Sequence, residues 1–98
     1  VPAADLLTDT EIDQRLTALP GWSRDGDTLR RTVRAEDFPT AIRIVTAVAE
    51  QAEQMDHHPD IDIRWRTLHF TLSTHSAGGI TALDFELAAR IDQVAAAH

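Results

Sequence analysis

The sequence predicts an α+β domain: a four-stranded antiparallel sheet with three helices packed on one face. Three observations predict it. Apolar residues recur at three- and four-residue intervals in three segments, each preceded by a helix-start signal. They alternate with polar residues in further short segments bounded by turn residues. The order along the chain is helix, hairpin, long helix, two strands, helix.

The first helix is announced by Thr8-Asp9-Thr10-Glu11, a capping box, with Leu7 and Ile12 at hydrophobic-staple spacing. It presents Ile12, Leu16 and Leu19, and Pro20-Gly21 stops it. Trp22 to Val33 reads as a hairpin turning at Asp25-Gly26-Asp27, with Leu29, Arg31 and Val33 on alternate positions. Asp37-Phe38-Pro39 opens the longest helix, Pro being tolerated in the first turn. Its apolar stripe is Phe38, Ala41, Ile42, Val45, Val48, Ala49, Ala52 and Met55. Beyond Pro59, Ile61, Ile63 and Trp65 alternate as one strand, and Leu68, Phe70 and Leu72 as another. If that pleat continues, His75 points to the polar side with His69. Ala77-Gly78-Gly79 breaks the strand. Thr81-Ala82-Leu83-Asp84 is a second capping box, Ile80 and Phe85 a second staple pair, and Leu83, Leu87, Ile91 and Val94 the stripe of the last helix.

Composition sets bounds on function. The 98 residues, 1–98, suffice for one domain. A net charge of -7, with the acids spread along the chain, argues against nucleic acid and anionic membranes, both of which require a basic field. No cysteine is present, which removes disulfides, thiolate zinc sites and cysteine nucleophiles. No apolar run reaches the roughly 18 residues of a membrane span. Val1-Pro2-Ala3-Ala4-Asp5 lacks the features of a signal peptide, so a cytoplasmic location is expected.

The segment Glu53-Gln54-Met55-Asp56-His57-His58-Pro59 concentrates the chemistry. Pro59 disfavours helical geometry at His58, so both histidines fall at a helix-to-loop boundary. Histidine changes charge near neutrality, and the C-terminal end of the helix dipole favours its protonated form. One histidine there would merely complement the dipole. Two neighbours with Asp56 and Glu53 nearby suggest a site, and their side chains must diverge into different jobs. His75 closes Ser73-Thr74-His75-Ser76 and gains weight from that company. Histidines and carboxylates in one cleft equip general acid–base chemistry, worth about 10²–10⁴-fold in rate. A zinc site is the weaker alternative, because adjacent histidines do not easily converge on one ion. The capping box by itself explains Asp84, and Glu53 would pass for a solvated helix residue. Trp22 and Trp65 read first as core fillers, with Trp22, beside a turn, the more exposed candidate for stacking on a planar ring. Neither a nucleophile–base set nor a phosphate loop stands out.

The spacing resembles that of the pterin-4a-carbinolamine dehydratase family. That pattern runs acid, three residues, His-His-Pro, five or six residues, aromatic, nine residues, His, then Asp; here Glu53, His57-His58-Pro59, Trp65, His75 and Asp84 meet it. The likeness continues through Leu72-Ser73-Thr74-His75, Gly78-Gly79-Ile80-Thr81 and Asp84-Phe85-Glu86-Leu87, covering about Leu6 to Val94. It implies a lyase that removes water from a 4a-hydroxytetrahydropterin, giving quinonoid dihydropterin for tetrahydrobiopterin recycling. Neither a metal nor a redox cofactor is implied. Carried over by position, His57, His58 and His75 are the active-site histidines, His57 and His75 the proton-transfer pair and His58 an assistant. Asp56, Pro59, Ser73, Thr74 and Ser76 fall in substrate-contacting stretches, Glu53 and Trp22 near the pterin pocket, and Asp84 also matches.

Val33 and Ala35 replace bulkier groups on surfaces that build oligomers in this family. A homo-oligomer, dimer or tetramer, is expected, since an open sheet edge usually needs covering. The resemblance also implies a link to an aromatic amino-acid hydroxylase. Rival readings are a non-catalytic pterin-binding or regulatory scaffold, since some members partner a homeodomain transcription factor, a molybdopterin-related role, and a small metal-dependent protein.

Overall fold

The computed structural model describes residues 5–98. Residues 1–4, on which most of the signal-peptide reading rests, lie outside them. Seven elements follow in chain order: α1 (Asp9–Leu16), β1 (Ser23–Asp25), β2 (Thr28–Arg34), α2 (Phe38–Met55), β3 (Asp60–Arg64), β4 (Thr67–Leu72) and α3 (Ala82–Ala96). The strands form one antiparallel sheet in the order β1-β2-β4-β3, leaving β1 and β3 at the edges. The α+β class and the element order are those the sequence predicts.

Alternation decides which face of the sheet is covered. Leu29 and Val33 of β2 and Leu68, Phe70 and Leu72 of β4 share a buried cluster with Ile12 of α1, Ala41, Ile44 and Val48 of α2 and Leu87 and Ile91 of α3. Each fully buried Leu, Ile, Val or Phe side chain among these contributes about 1.5–3 kcal/mol relative to exposure. The alternate residues Arg30, Thr32, Asp62 and His69 face solvent.

Both capping boxes form, Thr8 with Glu11 and Thr81 with Asp84. The first helix ends at Leu16, earlier than Pro20-Gly21 would require. Thr17, Ala18 and Leu19 instead donate to the carbonyls three residues back, tightening the last turn. Leu16 and Leu19 still pack against the core.

Two sequence expectations are corrected. The buried stripe of α2 is Thr40, Ala41, Ile44, Val48 and Ala52, whereas Phe38, Ile42 and Ala49 are exposed. The apolar surface of this helix is wider than the face its neighbours cover, so periodicity alone misplaces the edge of the contact. Trp65 does not continue β3. Arg64 pairs with Thr67, and Trp65-Arg66 forms the two-residue turn between them. Trp65 takes a φ of 56°, strained for a bulky residue, and is 69% exposed with the Arg66 guanidinium 5.1 Å from its ring centre. The β1–β2 turn, by contrast, has Gly26 at a φ of 60°, where no Cβ is strained.

Candidate active site

The site begins with the way α2 ends. Asp56 adopts left-handed geometry with a φ of 49°, a conformation that Asp tolerates better than most residues. The Asp56 N–H donates to Glu53 O and the His57 N–H to Ala52 O, a Schellman closure. The helix thus stops at Met55, three residues before Pro59 acts on His58. Closure by His57's own backbone fixes its position relative to the last turn.

The two histidines then diverge. His57 is 9% exposed and its Nε2 lies 2.6 Å from Asp84 Oδ1. His58 turns outward, with Nε2 2.7 Å from Glu53 Oε1, and both of these side chains are solvated.

Asp84 is 0% exposed. A carboxylate has two oxygens, and the capping box uses one. Asp84 Oδ2 accepts the Thr81 N–H at 2.9 Å and the Thr74 hydroxyl at 2.8 Å. Oδ1 remains for His57. The cap that explained Asp84 from sequence therefore does not exhaust it. Thr74 and Thr81 hydroxyls are also 2.7 Å apart, both buried.

His75 sits on a turn anchored to this cluster. β4 ends at Leu72, so the pleat does not carry His75 to the polar face beside His69. Thr74 and Gly79 instead form an antiparallel bridge, with the Thr74 N–H donating to Gly79 O at 2.8 Å. The Thr74 carbonyl accepts the N–H groups of Ala77, Gly78 and Gly79. Gly78 takes a φ of 79°, which keeps the turn tight. His75 and Ser76 stand exposed at its tip, one and two residues from the threonine that binds Asp84.

The remaining predicted residues divide. Asp56 is exposed and Pro59 half-buried beside the histidine pair, and the Ser73 hydroxyl donates to Asp27 O at 2.9 Å. The Thr74 side chain is turned inward. Trp22 is separated from the site: it is 5% exposed and its Nε1 donates to Asp92 Oδ1 at 2.8 Å, where Arg31 also binds. Asp92 lies eight residues beyond Asp84 on α3, about 12 Å along the helix axis. The exposure expected of Trp22 belongs to Trp65. Thr81 went unnoticed in sequence as a site residue, because its signal was that of a helix cap. Among the described residues no set of three His, Asp or Glu side chains is arranged to hold a metal ion.

A cavity of about 710 Å³ opens elsewhere, on the bare face of the sheet, where Arg30, Thr32, Asp60, Asp62 and His69 are among its lining. None of the predicted site residues lines it. Its walls are mainly polar and charged residues of the strands, whereas the buried carboxylate and paired imidazole lie at the α2–α3 junction.

Comparison with known proteins supplies the family. The sequence profile of Pterin 4 alpha carbinolamine dehydratase matches residues 5–94. The chain belongs to this dehydratase family. A relative from Nocardia farcinica, provisionally named pterin-4-alpha-carbinolamine dehydratase, is 59% identical over 93% of this chain and 96% of its own length. The solved structure of a Brucella melitensis protein, described as a transcriptional coactivator/pterin dehydratase, superposes with a TM-score of 0.90 at 33% identity, covering 93% of this chain and 99% of that one. A pterin dehydratase-like RuBisCO assembly factor of the alpha-carboxysome shares the fold, with a TM-score of 0.62 at 20% identity over 76% of this chain and 86% of its own. Family membership thus rests on nearly the whole described dehydratase fold, from the N-terminal cap to the last helix.

Proposed function

We propose that this chain dehydrates a 4a-hydroxytetrahydropterin to the quinonoid dihydropterin by histidine general acid–base catalysis. The observation that carries the proposal is the His57–Asp84 pair, tied through Thr74 to the turn that bears His75. In the reaction a proton leaves N5, its electron pair forms the C4a–N5 double bond, and the C4a–O bond breaks. The departing hydroxyl takes up a proton and leaves as water. Two imidazoles, one receiving and one delivering a proton, suffice for this balance, and the chemistry calls on no metal or redox cofactor. His57 and His75 are the proposed pair. His58, braced by Glu53, assists at the rim, where Asp56, Pro59, Ser73 and Ser76 provide polar and backbone contacts for the pterin. An aromatic amino-acid hydroxylase would be the source of the substrate, in a cytoplasmic setting.

The test is dehydration of freshly generated 4a-hydroxytetrahydropterin, followed by ultraviolet absorbance against the spontaneous rate. Wild type is run beside folded His57→Ala and His75→Ala variants. Acceleration that collapses in both variants supports the assignment. A folded wild type that gives no acceleration overturns it. A regulatory scaffold is the second reading, favoured by the coactivator description of the Brucella relative. The helix cap alone accounts for Asp84 Oδ2 in a scaffold, whereas the His57 imidazole on Oδ1 is what acid–base chemistry calls for, and the two readings part on that assay.

A further inference from the structure

We infer that Thr74 and Thr81 are positioning residues, forming a one-way hydroxyl relay that locks Asp84 and thereby presents Nδ1 of His57 as the atom that exchanges the proton. The inference rests on the dehydratase reading for what His57 does, and on hydrogen-bond counting for how it is held.

Each threonine hydroxyl has one proton to give. Thr81 Oγ1 accepts the Leu83 N–H at 3.2 Å as the cap of α3. Thr74 Oγ1 lies 2.8 Å from Asp84 Oδ2, and a carboxylate oxygen can only accept, so Thr74 donates there. The 2.7 Å contact between the hydroxyls then needs a proton from Thr81, since that of Thr74 is spent. The chain of donors has one direction: Leu83 N–H to Thr81, Thr81 to Thr74, Thr74 to Asp84. Thr74, Thr81 and Asp84 are all buried, so solvent is poorly placed to replace a missing link.

The far end of the relay sets the imidazole. Oδ2 of Asp84 is held by the Thr74 hydroxyl and the Thr81 N–H, which stops the carboxylate from rotating and aims Oδ1 at His57. Facing an acceptor, Nε2 of His57 carries its hydrogen. The neutral ring therefore offers a bare Nδ1 to take a proton, and the charged ring offers Nδ1–H to return it. Without the Thr74 hydroxyl, Oδ2 keeps a single donor. The carboxylate can then swing, and the ring can sample both tautomers.

Two readouts test the relay. Long-range proton–nitrogen NMR of ¹⁵N-labelled protein reports the His57 tautomer without any turnover, and steady-state dehydration reports kcat and KM. Wild type is expected to show the Nε2–H tautomer alone. Thr74→Val removes the hydroxyl at nearly constant shape; it is expected to show mixed tautomers and about a 10- to 100-fold lower kcat at little-changed KM. Thr74→Ser restores the donor and should recover both. A wild type in the Nδ1–H tautomer overturns the proposal, as does a folded Thr74→Val with wild-type tautomer and kcat. Should the valine variant not fold, Thr74→Ala is read in the same way. If neither folds, the wild-type hydroxyl protons decide. Slowly exchanging Thr74 and Thr81 resonances, with the Thr81 proton directed at Thr74, uphold the relay, and the reverse direction overturns it. An Nε2–H tautomer in a protein that accelerates no dehydration sinks the dehydratase reading and leaves the relay standing.

Discussion

Asp84 does two jobs with one side chain: Oδ2 caps the last helix at the Thr81 N–H while Oδ1, 2.6 Å from Nε2, holds His57. Helix start and histidine orientation are therefore coupled, and each can be probed through the other.

Asp84→Asn is the direct probe. It keeps an acceptor for some of the cap but loses the charge and one acceptor. Removing a buried acceptor strands donors that water does not reach, so we expect a loss of about 2–3 kcal/mol in urea denaturation. In the dehydration assay kcat should fall about 100-fold, within the range assigned to acid–base groups. A variant as active as wild type would remove Asp84 from the mechanism.

His58 and Glu53 behave differently, because both sit in solvent, 55% and 77% exposed at their side chains. Glu53→Gln should change stability by less than about 1 kcal/mol, with the difference fading in high salt. Its effect on kcat should be smaller than that of His57→Ala. A Glu53→Gln defect matching His57→Ala would move Glu53 into the proton-transfer step.

Trp22 is expected to matter for folding only. Trp22→Phe keeps most of the buried area but strips the donor from Asp92, which retains Arg31. A loss of about 1–2 kcal/mol is expected, with KM for the pterin unchanged. A raised KM with intact stability would show that the ring reaches the substrate after all.

The helix caps make stability depend on acid. The Thr40 hydroxyl and backbone N–H hold the Asp37 carboxyl below its ordinary range. The Thr8 backbone N–H, then its hydroxyl, do the same for Glu11. The folded chain binds these protons less readily than the unfolded one. The stabilisation is therefore fully present above the ordinary carboxylate range and is lost as pH falls through the lowered folded values. Asp37→Asn should melt below wild type at neutral pH, with the gap in Tm closing in acid. A gap that widens in acid would contradict this sign.

Assembly is the remaining expectation. Phe38, Ile42, Ile63 and Trp65 are large apolar side chains left exposed, and β3 is an open edge. We expect light scattering to give a multiple of 10.8 kDa, reduced by Phe38→Glu or Trp65→Ser. A wild-type mass equal to one chain would refute it.

The sequence alone announced each helix and strand, because those signals are local, although α1 ends before Pro20-Gly21 and Trp65 lies beyond β3. Thr8 with Glu11 and Thr81 with Asp84 announced their caps, and alternation in Leu68, Phe70 and Leu72 named the buried face of β4. It also marked His57, His58 and His75 by their spacing. Local signals place a residue on its own element but do not say what the next element brings to it. Only tertiary structure turned His57 toward Asp84 and His58 toward Glu53, although the two are chain neighbours. Only tertiary structure buried Trp22 under Asp92 and left Trp65 outside, because burial depends on which helix crosses above. Thr81 illustrates the limit best. A cap uses the lone pairs of a threonine hydroxyl and leaves its proton free, and the residue that receives that proton, Thr74, arrives from another strand end.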